Sequence, residues 1–183
     1  MNMKRPDLDT VLESYKGVVP VPLVDIVRDL GINLFLTKRF KDAKSGEIVK
    51  ENGTYAIYLN ANHPYTRNRF TLAHELAHFV FDRDFLDQEQ EIEDFSGKTF
   101  SIPSLQRTKN EHDARELKAD QFAAELLMPE GEFLRVWAQK STIEEVANFF
   151  EVSPKAAEIR ARVIQEKRLR AAHDTSVPSQ QSA

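Results

Sequence analysis

Apolar residues recur at three- and four-residue intervals in several parts of the chain, and this spacing predicts helices. Over 66–81 the repeat continues without glycine or proline, so we expect a largely buried helix there. A second long helix is expected to carry Glu116 and to stop at Pro129, because proline ends a helix. Shorter helices are predicted over 7–16, 21–31, 130–139, 142–150 and 153–164.

The part of the chain between 31 and 66 shows the two-residue alternation that is typical of strands. Strands are expected over 32–37, 47–50 and 54–60, and Asn52-Gly53 between the last two is a strong signal for a hairpin turn. These elements predict an α+β fold in which a small antiparallel sheet packs on the helix at 66–81. We further expect 54–60 to be an edge strand that binds an extended peptide through backbone hydrogen bonds.

The helix at 66–81 contains H-E-L-A-H, in which His74 and His78 are four residues apart. Residues at this spacing lie on one face of a helix, so both imidazole rings can reach one metal ion, and zinc suits such nitrogen ligands. Glu75 is displaced around the helix, where it can contact a water molecule beside the metal as a general base. The competing interpretation is a core helix with two ordinary hydrogen-bonded histidines.

A third metal ligand has two candidates. Asp84 lies where H-E-x-x-H-x-x-G-x-x-D places a ligand, but that pattern needs glycine at the position of Phe81, so we reject it. Glu116 is the better candidate, because a carboxylate from a second helix completes a site of two histidines, one glutamate and one open position. Asp120 is one helical turn after Glu116 and can accept a hydrogen bond from the remaining ring nitrogen of a ligand histidine.

Peptide hydrolysis also needs a group that stabilises the charge developing on the carbonyl oxygen. Tyr65 and His112 are our candidates for this oxyanion-stabilising role. Such residues are also common at protein surfaces and helix ends, and their role depends on three-dimensional placement. Other residues with suitable donors near the motif are His63, Arg67 and Arg69.

Together these motifs resemble the ImmA/IrrE family of metallo-endopeptidases, which are gluzincin-like zinc enzymes. The resemblance is carried by R69-F-T-L-A-H-E-L-A-H78 and by E116-L-K-A-D-Q-F-A-A-E-L-L-M128 with the proline that follows. It extends through V19-P-V-P-L-V-D-I-V-R-D-L-G-I32 and I143-E-E-V-A-N-F-F-E-V-S153. Ala77 and Asp82 depart from the family, in which a glycine and a histidine are common at these positions.

The resemblance implies a zincin-like fold and a cytoplasmic protease that holds one zinc ion per chain. His74, His78 and Glu116 would be the metal ligands, and Glu75 the catalytic acid and base. The implied substrate is a partner protein, a helix-turn-helix transcriptional repressor, in phage, mobile-element or stress regulation. Some relatives are the toxin-like half of a two-protein module.

Composition limits the other possibilities. The chain has 183 residues, no cysteine and a net charge of −4, which predicts one domain, with or without a small appendage, inside the cell. No apolar run approaches the length of a membrane span, and the first residues lack the apolar core of a signal peptide. We therefore expect a soluble protein without a membrane partner. The negative charge also argues against nucleic-acid binding over the whole surface.

The C-terminal part supports a rival interpretation. The two helices over 142–150 and 153–164 resemble a helix-turn-helix, and residues 153–170 contain six basic and two acidic side chains. The alternative function is thus a DNA-binding or toxin–antitoxin-type regulator with a structural or inactive metal site, although Glu151 stands where such turns often have glycine. We expect a peptidase domain over 1–140, a helical segment over 141–170 packed on it, and a disordered tail over 171–183.

Overall fold

The computed structural model describes residues 8–41, 43–88 and 109–176. The predicted α+β class is confirmed. Two helices precede the small sheet in the sequence, and the other described helices follow it. The strands are β1 (Asn33–Thr37), β2 (Gly46–Glu51) and β3 (Thr54–Asn60). The helices are α1 (Leu8–Ser14), α2 (Leu23–Asp29), α3 (Tyr65–Phe81), α4 (Arg83–Gln88), α5 (Lys109–Leu127), α6 (Glu130–Trp137), α7 (Ile143–Phe150) and α8 (Pro154–Ser176).

The three strands form one sheet in the order β1-β3-β2. β2 and β3 pair antiparallel, whereas β1 and β3 pair in parallel, so the sheet is mixed and not wholly antiparallel as expected. β3 follows β2 in the chain but lies between β1 and β2 in the sheet. This order depends on long-range packing, which the local alternation of apolar and polar residues does not encode. Because β3 is paired on both sides, the prediction that 54–60 is a peptide-binding edge is wrong.

The turn between β2 and β3 is formed by Asn52 and Gly53. Both residues have positive φ, 49° and 74°, as a type I′ hairpin turn requires. Asparagine and glycine adopt this conformation at low cost, which is why the dipeptide predicts the hairpin correctly. The turn fixes the register in which Ile48 lies opposite Ile57.

Helix α3 packs against β2 and β3 on one side and against α5 on the other. Its apolar residues Leu72, Leu76 and Phe79 are buried, and each such side chain stabilises the fold by about 1.5–3 kcal/mol. The helix approaches β2 closely because residue 46 is glycine. A Cβ at Gly46 would lie 2.6 Å from Cγ2 of Thr71. The H-E-L-A-H sequence is therefore held in a rigid, layered environment.

Helices α7 and α8 form the predicted C-terminal pair. Thr142 caps α7 through a reciprocal capping box with Glu145, and the Ser153 hydroxyl accepts a hydrogen bond from the Ala156 amide at the start of α8. Between the helices, Glu151 adopts a left-handed conformation with φ 54°. These local contacts define both helix starts and the turn that separates them.

Helix α8 is longer than expected, because it continues to Ser176. The disordered tail predicted over 171–183 is thus corrected over 171–176, where Ala171 and Ala172 are strong helix formers that extend α8. Residues 177–183 lie outside the described residues.

The division into a domain over 1–140 and a segment over 141–170 stays a prediction. Within the described part of the chain, no helix combines the length and the apolarity needed to cross a membrane.

Candidate metal centre

The two histidines of H-E-L-A-H lie side by side on α3, on the side that faces α5. Their ring centroids are 4.8 Å apart, and the Nε2 atoms of His74 and His78 approach to 3.1 Å. Helical spacing alone accounts for this proximity, since residues four apart are neighbours on the helix surface. Both Nε2 atoms are therefore directed to one point between the helices.

Glu116 reaches the same point from α5. Its Oε2 atom is 3.2 Å from His74 Nε2, and its Oε1 atom is 3.5 Å from His78 Nε2. Ligand atoms at about 2.0–2.2 Å from a tetrahedral metal ion lie about 3.3–3.6 Å from each other, so these separations fit one ion with little adjustment. Two imidazoles and one carboxylate are also the donor set that zinc accepts in catalytic sites. The three residues can hold a divalent metal ion.

The Nδ1 atoms of the two rings face carboxylates. His74 Nδ1 is 2.8 Å from Oδ1 of Asp120, as the sequence spacing suggested, and His78 Nδ1 is 2.7 Å from Oδ2 of Asp82. Carboxylates accept hydrogen bonds, so each ring is expected to carry its proton on Nδ1 and to leave the Nε2 lone pair available for a metal. Asp82 did not emerge from the sequence, although its position four residues after His78 was the available signal.

Glu75 is buried beside this cluster, with 8% of its surface exposed. The backbone of Ile48 in β2 favours the ionised form of the Glu75 carboxylate. Burial raises the pKa of Glu75 above its usual value, and the neighbouring His78 and His74 oppose this shift. A carboxyl group with a raised pKa is a better proton acceptor near neutral pH, which suits a general base.

Among the described residues, β2 is paired on one side only, and its other edge passes beside the metal centre. The Asn60 amide donates to the Ser45 carbonyl, so residues 45 and 60 form a hydrogen-bonded pair of the antiparallel ladder. By alternation, the backbone N–H and C=O groups of Gly46, Ile48 and Lys50 point away from β3. β2 lies at the end of the strand order, so within residues 8–41, 43–88 and 109–176 no strand pairs with these groups. The Ile48 backbone also favours the ionised form of the buried glutamate.

Tyr65 is not close to the three ligands. It lies in the first turn of α3, nine residues before His74, which is about 13 Å along the helix axis. Its side chain is exposed, and its hydroxyl donates to Oε2 of Glu151 at 2.9 Å. The structure thus assigns Tyr65 a contact with the C-terminal pair, and an oxyanion-stabilising role for it stays a prediction.

Of the other candidates for the oxyanion-stabilising role, two arginines contact neighbouring segments, and the side chain of His112 is outside the described residues. His112 is in α5, one turn before Glu116, but its side chain is outside the described residues. Arg67 donates to the Ser45 hydroxyl at 3.0 Å. Arg69 is buried, donates to the Val21 carbonyl and pairs with a carboxylate in the C-terminal turn. These arginines hold α3 to its neighbours.

Comparison with known proteins agrees with this geometry. Residues 27–162 match the family model Peptidase_M78, described as the IrrE N-terminal-like domain. Among solved structures, a Mycobacterium tuberculosis transcriptional regulator has a similar fold, with a TM-score of 0.56 and 18% sequence identity. That match covers 82% of this chain but 44% of the other, so the chain spans less than half of that protein's length. No curated protein matches the chain. Because the family model covers most of the chain, including both helices that hold the histidines and Glu116, the protein belongs to the IrrE N-terminal-like peptidase family.

Proposed function

We propose that the protein is a zinc-dependent endopeptidase that hydrolyses a peptide bond in a partner protein. The observation that carries this proposal is the convergence of His74, His78 and Glu116 on one point, with the buried Glu75 beside them. Membership of a peptidase family supports the same conclusion. Asp120 and Asp82 would keep the two rings oriented toward the metal.

Zinc held by the three ligands supplies a Lewis acid that lowers the pKa of water toward about 7 and stabilises negative charge on the substrate carbonyl oxygen. Glu75 accepts the proton that the attacking water loses as its oxygen bonds to the carbonyl carbon. The same carboxyl group then delivers that proton to the amine as the carbon–nitrogen bond breaks.

The edge of β2 that no described strand pairs offers a binding place for the substrate backbone. An extended peptide that adds to this edge would pair with the outward N–H and C=O groups of Gly46 and Lys50. The scissile bond would then lie close to Glu75, because α3 packs against β2 and the Ile48 backbone between these two positions influences the Glu75 carboxylate. This assignment replaces β3 by β2 as the peptide-binding strand.

The proposed substrate is a helix-turn-helix transcriptional repressor in the same cytoplasm. The resemblance to the ImmA/IrrE family supports this class of substrate, and the similar regulator structure is compatible with a place in gene regulation. The direct experiment incubates the zinc-loaded protein with candidate helix-turn-helix repressors, starting with any that is encoded beside its gene, and measures intact masses. We expect two fragments whose masses sum to the repressor plus one water, and none with Glu75→Gln or a chelator. Equal cleavage by Glu75→Gln would overturn the proposal.

A second candidate function is DNA or antitoxin-type regulation through the C-terminal helices, with a metal site that is structural or inactive. The observation that favours it is the exposure of Arg162, Arg168 and Arg170 on α8. Direct DNA binding would appear as a salt-dependent shift of a labelled operator fragment by the wild-type protein. The same shift with a metal-free protein, together with no cleavage activity, would favour this second function.

A further inference from the structure

His78 is held by a residue that lies just beyond the end of its own helix. Asp82 follows α3, and its backbone N–H donates to the His78 carbonyl at 2.9 Å. Its Oδ2 atom is 2.7 Å from His78 Nδ1, and both side chains are 12% exposed. Because backbone and side chain both contact His78, Asp82 has little freedom to release the ring.

The other carboxylate oxygen of Asp82 is engaged by α5. Arg115 Nε donates to Asp82 Oδ1 at 2.8 Å, and the arginine side chain is 25% exposed. Arg115 directly precedes Glu116 in α5, so adjacent residues of this helix influence opposite sides of the His78 ring. Arg115 acts on the Nδ1 side through Asp82, and Glu116 approaches the Nε2 side directly.

The two histidines are therefore oriented by different sets of contacts. His74 Nδ1 contacts Asp120 of α5 directly, and the Asp120 side chain is 56% exposed. His78 Nδ1 contacts a carboxylate that is only 12% exposed and is itself held by an arginine. A hydrogen bond between charged groups is stronger where water is excluded, provided that both partners are satisfied. The contacts of His78 should consequently restrict the orientation of its ring more than those of His74 do.

We propose that Asp82 and Arg115 are positioning residues that hold His78 in its Nδ1-protonated tautomer and link this orientation to α5. The proposal rests on the proposed metal site. Neutral imidazole has its lone pair on one nitrogen only, so a ring protonated on Nε2 cannot bind the metal through that atom. Asp82 accepts a hydrogen bond and cannot donate one while ionised, which selects the productive tautomer. Arg115 fixes the carboxylate orientation in which this selection operates.

The substitution Asp82→Asn tests this selection with almost no change in shape. An asparagine side chain can present either its oxygen or its NH₂ group to His78, so the ring can adopt both tautomers. Arg115→Gln removes the guanidinium that orients Asp82 but leaves the carboxylate in place. The matched control is Asp84→Asn, which removes the same charge from an exposed position in α4.

The first measurement is the histidine nitrogen spectrum of the metal-free protein by NMR, which is tractable because the chain has five histidines. We expect the wild type and Asp84→Asn to show His78 as the Nδ1-protonated tautomer. Asp82→Asn should show a mixture of tautomers. An unchanged His78 tautomer in Asp82→Asn would overturn the proposal without any reference to metal or activity.

The second measurement is the Kd for zinc, determined in competition with a chromophoric chelator. Loss of a partner to a metal-binding histidine weakens binding by about 10- to 100-fold, and we expect this for Asp82→Asn. Arg115→Gln should have a smaller effect, and the double variant should be no weaker than Asp82→Asn alone, because both residues act through one ring. Independent, multiplying effects would contradict the proposed link, as would a wild-type Kd in Asp82→Asn.

The two proposals fail in different ways. A wild type that binds zinc tightly but cleaves no protein removes the peptidase function and leaves the positioning roles of Asp82 and Arg115 intact. A fully active Asp82→Asn variant with wild-type Kd and tautomer removes only the positioning roles. Melting of each metal-free variant, followed by circular dichroism, identifies any variant whose fold is altered, and Arg115→Lys then replaces Arg115→Gln in the double-variant comparison.

Discussion

The α3–α5 pair and the α7–α8 pair use charged side chains in opposite ways. Between α3 and α5, ligand atoms of two histidines and one glutamate lie within 4.8 Å of one another. On α8, by contrast, the side chains of Lys155 and Lys167 are each 71% exposed. The two imidazole rings of this cluster are largely shielded from water, and shielded polar groups cost free energy unless a ligand or partner compensates them. The first arrangement therefore indicates a binding site, and the second a largely solvated surface.

The charged groups of the C-terminal pair that contact other helices have a different purpose. Arg160 of α8 donates to the Met128 carbonyl at 2.9 Å and also pairs with Glu125 near the end of α5. Glu151, between α7 and α8, accepts a hydrogen bond from Tyr65 and forms an ion pair with Arg69, both in the first turns of α3. Both contacts attach the pair to the helices that carry the metal centre. The comparison thus separates chemistry at α3–α5 from mechanical support at α7–α8.

The largest expected effect is that of Glu75→Gln. The amide cannot accept the water proton, so the cleavage rate should fall by about 100- to 10,000-fold while zinc content is unchanged. Single-turnover cleavage and elemental mass spectrometry measure the two quantities. Glu158→Gln on the exposed surface of α8 is the control and should retain full activity. Loss of zinc from Glu75→Gln would mean that Glu75 is a ligand and not the base.

Arg160→Met should affect stability and not chemistry. It leaves the buried Met128 carbonyl without its donor, which should lower the free energy of unfolding by about 1–3 kcal/mol. Urea denaturation measures this change, and Arg162→Met, an exposed neighbour, should stay within about 0.5 kcal/mol of the wild type. A reduced zinc affinity at unchanged stability would show that α8 contributes to the chemistry and would break the comparison.

Lys50→Pro tests the edge of β2 that no described strand pairs. Its N–H points away from β3, so proline removes a donor to the substrate and no hydrogen bond of the sheet. Loss of one such bond, about 1.4 kcal/mol, should raise KM about tenfold with kcat little changed. Lys50→Ala is the matched control, because it also loses the ion pair with Asp87 but keeps the N–H. Equal KM values for the two variants would exclude this edge as the backbone-binding site.

The smallest effect is expected from neutralising the exposed cations of α8. The triple variant Arg162→Ala, Arg168→Ala, Arg170→Ala should cleave the substrate within about twofold of the wild-type rate, because solvated charges contribute little. Gel-shift titration of operator DNA should show no specific complex with either protein. A specific complex that the triple variant loses would instead establish the C-terminal pair as a DNA-binding element.

Features that depend on local sequence could be predicted. The α3 helix follows from its apolar repeat, and Asn52-Gly53 marks the hairpin because few residues accept positive φ. The orientation of His74 and His78 toward one point follows from helical spacing. A contact of Asp120 with one of the two histidines also follows, once Glu116 and Asp120 are placed on one face of a second helix. The structure shows that this histidine is His74.

Features that depend on the meeting of distant segments could not be predicted. The position of β3 between β1 and β2 results from packing across the whole sheet, and so the edge strand was misassigned. Asp82 lies where α3 ends, outside the helical repeat, and its pairing with Arg115 requires the register between two helices. The extension of α8 to Ser176 is a separate case. It follows from local helix propensity, but the small and polar composition of the segment favours a tail when the sequence is taken alone.

The most direct test of the metal centre is the metal content of protein purified without a metal-affinity tag, measured by elemental mass spectrometry for the wild type and Glu116→Ala. The proposed two-histidine, one-glutamate site predicts close to one zinc per wild-type chain and much less in the variant. A wild type that contains no divalent metal and takes none up from zinc-containing buffer would contradict the central claim. Equal zinc content in the two proteins would contradict the assignment of Glu116 as the third ligand.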